Sequence, residues 1–152
     1  MITKEDILEA QHHWADTIVE IGSLKSDMST CEKTARALLN QLYAFEQGDV
    51  LFKPTQASVI QFRTNFEGML SYFIGGNSKF PEDQGFALKP WTRVRFENAG
   101  ITLENNRAIA MGNYYFTDDN NQELKVEYTF GYIKNNAGEL KIDLHHSSMP
   151  YV

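Results

Sequence analysis

Cysteine is almost missing from these 152 residues, and because Cys31 stands alone the chain has neither an intramolecular disulfide nor a cysteine-based zinc cluster. Its position four residues before Ala35, in a helical stretch, marks it as a small buried hydrophobe. Basic residues are also in short supply: 14 Lys and Arg face 20 Asp and Glu, for a net charge of -6. They are scattered, which excludes a general affinity for nucleic acid or an anionic membrane, since both need clustered positive charge to displace counterions. No apolar run approaches the ~20 residues of a membrane span, and Met1 to Glu9 is charged and helical rather than an apolar signal segment. The expected location is therefore cytoplasmic. There is no internal repeat and no low-complexity tract, and the length suits one domain, 1–152, whose core needs no disulfide or metal.

What is present in quantity is alternation. From Arg107 to Ser147 the even positions carry Ala108, Ala110, Gly112, Tyr114 and Phe116, then Leu124, Val126, Tyr128, Phe130 and Tyr132, then Leu140, Ile142, Leu144 and His146. The odd positions are mostly polar, so a period of two predicts three strands with one apolar face. Asp118 to Asn121 and Asn136-Ala137-Gly138 read as the turns, the second with Gly138 left-handed. A register centred near Asn120 sets Gly112 opposite Tyr128, Ala110 opposite Phe130 and Ala108 opposite Tyr132, and the second turn sets Tyr128 opposite His146. A slip of one residue would exchange the faces.

Upstream, Thr3 and Asp6 resemble a capping box, and Ile7, Trp14, Ile18 and Ile21 follow at helical spacing, giving a helix over Thr3 to Ile21. A second helix starts near Ser29 and stops near Gly48, carrying Ala35, Leu38, Leu39, Leu42 and Tyr43. Val50 to Lys53 is a short strand candidate, and Ala57 to Arg63 is a weaker one. Thr64 with Glu67 opens a third helix that Gly75-Gly76 closes. Asn77 to Pro90 reads as a loop, and Trp91 to Leu103 as a long strand interrupted by a bulge at Ala99-Gly100. The predicted architecture is α+β and cone-shaped, a long bent antiparallel sheet covered on one face by three helices.

That order of elements resembles the superfamily of nuclear transport factor two, ketosteroid isomerase and the polyketide cyclases (SnoaL-like proteins). Within it, the chain is similar to the association domain of calcium/calmodulin-dependent protein kinase type II. The residues that carry the likeness are Leu51-Phe52-Lys53-Pro54, which resembles that family's Phe-Glu-Pro step, and His145-His146-Ser147-Ser148-Met149-Pro150, which resembles its His-Cys-Ser-Gly-Ala-Pro. The likeness spans about Ala35 to Pro150. The arginines of the kinase domains' pocket are replaced by Gly68, Asn113 and Phe130 or Gly131, so the resemblance does not imply an anion held by that cluster. Nor does it imply kinase activity, because the motifs of a kinase are missing.

Side chains with chemistry are few. His145 and His146 are adjacent on a strand and point to opposite faces, so they do not chelate one ion, and no metal or other cofactor is expected. Strand parity places His145 outward with Asp143, and His146 inward after Leu144. His146 as acid or base and Tyr128 as donor are the candidate catalytic pair. Glu127 and Asp143 fall on the outward face, away from any isomerase-like chemistry, so the balance favours a domain that is not an enzyme. The gap beside Gly112 is read as the floor of a cavity whose ligand-binding residues are Trp14, Tyr43, Gly112, Tyr114, Tyr128 and His146. Gly112→Leu is accordingly expected to abolish binding while sparing the fold.

Three functions fit this reading. The first is a dimerising domain that binds a small apolar or amphipathic ligand. The second is an isomerase, cyclase or dehydratase with His146 as base. The third is an assembly module, as the kinase-domain resemblance implies. Ile109, Met111 and Tyr115 form an apolar streak on the outer face, and a homodimer through that face is expected.

Overall fold

The computed structural model describes residues 1–152. Helix α1 (Lys4–Ser23) begins where Thr3 and Asp6 exchange side-chain and backbone bonds, a complete capping box that satisfies two otherwise orphaned N–H groups. Its buried stripe, Ile7, Gln11, Trp14, Ile18 and Ile21, recurs at helical spacing and faces the sheet. Helix α2 (Met28–Leu42) is capped by Asp27, whose carboxylate accepts from the Thr30 N–H, rather than by Ser29. A cap of this type is worth about 1 kcal/mol. The helix stops well before Gly48. Tyr43 turns extended, the Ala44 N–H bonds the Ile142 carbonyl, and the Lys141 ammonium caps the carbonyls of Asn40 and Gln41. Docking on the last strand, not glycine, ends it. Helix α3 (Phe66–Ile74) starts at Asn65 and ends at Gly75.

The sheet contains β1 (Leu51–Lys53), β2 (Trp91–Leu103), β3 (Arg107–Asp118), β4 (Glu123–Lys134) and β5 (Leu140–Ser148), in the order β1-β5-β4-β3-β2. The meander is antiparallel, but β1 runs parallel to β5, pairing Leu51 with Leu144, Phe52 with His145 and Lys53 with His146, so the sheet is mixed. Three helices and this bent sheet make the α+β cone fold expected from the pattern.

Residues 57–62 form no strand, and Arg63 makes only an isolated bridge to Phe52. The Glu82 carboxylate accepts the N–H groups of Ser58, Val59 and Ile60, consuming the donors that a neighbouring strand would need. Those bonds hold Glu82 down to about 2. The same loop is anchored by a buried ion pair of Arg63 with Asp83. Within 77–90, Phe86–Leu88 forms a short 3-10 turn.

On the inner face, Trp14 packs edge-on or stacked against Phe73, Phe96, Tyr114, Phe116, Phe130 and His145, making it the centre of the core. Cys31 is fully buried, where burial raises its thiol pKa, as for an inert core residue. No helix is long and apolar enough to cross a membrane.

Candidate active site

The β3–β4 register is the one expected, with Gly112 opposite Tyr128, Ala110 opposite Phe130 and Ala108 opposite Tyr132. The β4–β5 register starts in phase, with Tyr132 opposite Ile142, and then slips: Gly131 faces Leu144, and Asp143 is left without a partner. Asp143 is the extra residue of a bulge. A Cβ on Gly131 would lie 2.8 Å from the Leu144 Cβ and 3.1 Å from the Asp143 carboxylate, so only glycine leaves room for it. The Asp143 carboxylate is paired with the Arg107 guanidinium on β3.

One inserted residue reverses the parity of everything after it. His145 and Ser147 point inward and are buried, while His146 is exposed. The expected inward His146 is therefore corrected to His145, and Tyr128 lies opposite Ser147 rather than His146. Gly112 is also not a cavity floor. An added Cβ would sit 2.1 Å from the Glu97 carbonyl oxygen and 2.9 Å from the Tyr128 hydroxyl, because the β2 bulge at Ala99 brings its backbone across the glycine. Tyr128 is spent on structure. Its hydroxyl donates to Asn98 Oδ1, and Asn98 and Gln11 exchange a reciprocal pair of amide bonds at 2.7 and 2.9 Å.

The opposite end of the inner face holds a chain of polar side chains. Trp14 Nε1–H donates to the Tyr43 hydroxyl at 2.8 Å, and the Tyr43 hydroxyl lies 2.8 Å from His145 Nδ1. His145 Nε2 lies 3.1 Å from the Tyr114 hydroxyl, which is 2.6 Å from Ser147 Oγ. Ser147 Oγ is in turn 2.6 Å from Thr55 Oγ1. The parallel β1–β5 ladder delivers Thr55 to this point, and Lys53 Nζ secures the strand end by donating to the Ser147 carbonyl at 2.9 Å.

Beside Thr55 and Ser147 is a small cavity walled by Trp14, Phe52, Pro54, Phe73 and Phe86, with Tyr72, Tyr114 and His145 completing its lining. The cavity is small, about 10 Å³ in volume, enough to admit a water. The Tyr72 hydroxyl accepts from the Gln56 N–H at 3.2 Å and lies beside the Thr55 hydroxyl. Burial pushes the Tyr43, Tyr72 and Tyr114 phenols far above their usual range. Burial, with the His146 charge adding to it, holds His145 well below the ordinary imidazole value and hence neutral. Tyr72 and Phe86, stacked at 5.5 Å, separate the cavity from a much larger outer cleft that also contains Glu82, Asp118 and Glu123. No group of three His, Cys, Asp or Glu side chains is placed to hold a metal ion.

Of the expected ligand-binding set, Trp14 and Tyr114 line this cavity, Tyr43 stands behind His145, and Gly112, Tyr128 and His146 lie elsewhere. Sequence reasoning missed Thr55, Tyr72, His145 and Ser147. The signal for the last two was Gly131, a glycine inside a strand facing the bulge. Thr55 and Tyr72 carried none, because their placement depends on the β1–β5 pairing and on helix packing. On the outer face, Ile109 and Met111 are 37% and 55% exposed, while Tyr115 lies half-buried under the Arg95 guanidinium.

The fold places the chain in the nuclear-transport-factor-two-like class. Members of that class, among them a ketosteroid-isomerase-like protein, share it at 11%, 15% and 19% identity. A protein of Xanthomonas campestris described as a calcium/calmodulin dependent protein kinase II association domain is 26% identical. It superposes with a TM-score of 0.54 over 90% of this chain and 84% of that one. A closer likeness is to the crystal structure of an iota-carbonic anhydrase from a cyanobacterium complexed with bicarbonate. It is 38% identical, with a TM-score of 0.96 over 99% of this chain and 94% of that chain. The metal-independent carbonic anhydrase of Nostoc sp. (strain PCC 7120 / SAG 25.82 / UTEX 2576) is 39% identical over 153 residues, which cover 99% of this chain and 75% of that protein.

The family model for metal-independent carbonic anhydrase matches residues 5–149, and the chain belongs to that family. An enzyme family overturns the expectation of a noncatalytic domain. That expectation looked for an inward carboxylate, and the cavity instead holds hydroxyls and an imidazole.

Proposed function

We propose that the protein is a carbonic anhydrase that interconverts carbon dioxide and bicarbonate in the cavity at Thr55, Tyr72, Tyr114, His145 and Ser147. The observation that carries this reading is the meeting, in one small cavity, of an aromatic wall with a hydroxyl chain and the Tyr72 hydroxyl. Carbon dioxide is small and apolar and suits the faces of Phe52, Phe73 and Phe86. Bicarbonate is an oxyanion and suits the hydroxyls. The bicarbonate complex of the cyanobacterial relative, whose backbone this chain follows throughout, supports the same substrate.

In the hydration direction, a water held at Thr55 attacks the carbon. A new C–O bond forms, one C=O electron pair moves onto oxygen, and the charge that develops there is met by the Tyr72 O–H and a chain hydroxyl, an arrangement of preset donors. The lost proton leaves by way of solvent, since no carboxylate lines the cavity and His145 is kept neutral.

The test is oxygen-isotope exchange between carbon dioxide and water, with chelator present. Thr55→Val keeps shape and removes the hydroxyl, and the expected loss is ~100-fold or more. Exchange by the wild type no faster than by buffer would end this reading.

The reading extends to assembly and location. A homodimer through the outer sheet face is supported by the exposed Ile109 and Met111, which share that face. Light scattering at micromolar concentration should give twice the mass of the chain, and Met111→Glu should give the monomer; a monomeric wild type would refute it. A cytoplasmic location, for which the lone unpaired Cys31 speaks, goes with the same reading.

A further inference from the structure

We infer that Tyr43, held by Trp14, is a positioning residue that fixes the tautomer of His145 and so the direction of donation from His145 through Tyr114 to Ser147, at the edge of the cavity. The inference deepens the reaction proposed above and rests on it for its catalytic part only.

The argument is a count of donors and acceptors. The indole N–H of Trp14 is a donor only, so at 2.8 Å the Tyr43 oxygen must accept from it. Tyr43 is 1% exposed, and the one acceptor within reach of its own hydrogen is His145 Nδ1. If Nδ1 carried the proton instead, the Tyr43 hydrogen would be buried with no partner, an expensive outcome. His145 is therefore protonated on Nε2.

From there the direction propagates. Nε2–H donates to the Tyr114 oxygen, so the Tyr114 hydrogen must go on to Ser147 Oγ. Ser147, having accepted, has its own hydrogen to give to Thr55 Oγ1 at 2.6 Å or to the Glu127 carbonyl at 3.2 Å. Where Ser147 gives its hydrogen to Thr55, the shorter contact, the Thr55 hydrogen is left on the cavity side, beside the Tyr72 hydroxyl. Bicarbonate oxygens, and the charge that grows on carbon dioxide during attack, call for a donor at that point. The indole has no acceptor role and ends the chain at its far side. Tyr43 and Trp14 thus orient the site and do not conduct a proton out of it.

The test combines long-range proton–nitrogen correlation NMR of the labelled His145 ring with kinetics. His145→Gln identifies the resonances. The wild type is expected to show hydrogen on Nε2 alone. Tyr43→Phe removes the acceptor constraint, and a mixture of both tautomers is expected, with kcat reduced about tenfold or more and KM changed less than about threefold. A wild-type ring protonated at Nδ1 would overturn the inference, as would a Tyr43→Phe ring still purely Nε2–H. A mixed tautomer with unchanged kcat would overturn the catalytic part. Should Tyr43→Phe fail to fold, the wild-type spectrum decides alone. If the wild type showed no carbon dioxide exchange, the proposed reaction would fail while the tautomer assignment stood on its own spectrum.

Discussion

The inner face of the sheet carries two buried polar clusters, and they differ in whether they close. Gln11 and Asn98 bond each other reciprocally beside the β2 bulge, and the Tyr128 hydroxyl donates to Asn98. The chain from Trp14 through Tyr43, His145, Tyr114 and Ser147 to Thr55 is bonded at every step and ends beside a cavity. A closed cluster fixes a core, whereas an open one has capacity left for a substrate. Both contain buried tyrosines on neighbouring strands, so residue type does not tell them apart. The difference lies in where the chain end falls.

The largest effect should come from breaking the closed cluster's backbone. Gly112→Ala would push a Cβ against the Glu97 carbonyl and the Ala99 nitrogen, neither of which is a flexible side chain. The expected cost is about 3 kcal/mol or more in urea unfolding. This contrasts with the sequence-based expectation that even Gly112→Leu would leave the fold largely intact. A stable variant would mean that the β2 bulge yields.

A smaller effect sharpens the open cluster. The folded pKa of His145 is depressed, so the unfolded chain takes up a proton below about pH 6.5 where the folded one does not. Stability is complete above that value and is lost as pH falls, until the imidazole is protonated within the fold. This group alone contributes up to about 1.4 kcal/mol per pH unit over that window. Denaturation at about pH 7 and about pH 5 should show a shallower decline for His145→Gln than for the wild type. Equal slopes would mean that His145 is not buried neutral.

Much of this contrast was legible in the sequence, up to one residue. The α+β order, the strand over Trp91 to Leu103, its bulge at Ala99 and the β3–β4 register all follow from periodicity and turn chemistry, which are local. The inward residues at the end of β5 were misassigned because Asp143 is inserted there, so that inward and outward exchange between Ile142 and His145. A strict period of two chooses His146 and Tyr128, and the structure chooses His145 and Ser147. Gly112 misled for a related reason: a strand glycine signals either space or a close backbone, and the pattern alone does not say which. Thr55 and Tyr72 lie outside the meander, on β1's exit and on α3, and enter the site through contacts between distant segments.

The most direct measurement makes the same chemical change at each cluster. Tyr72→Phe and Tyr128→Phe both delete one oxygen from a buried tyrosine, the first from the cavity and the second from the closed group. In oxygen-isotope exchange between carbon dioxide and water, Tyr72→Phe should lose ~100-fold or more. Tyr128→Phe should stay within about threefold of wild type while losing about 1 kcal/mol of stability. Full exchange by Tyr72→Phe, or an equal loss in Tyr128→Phe with its fold intact, would contradict the assignment of the reaction to the Thr55, Ser147 and His145 end.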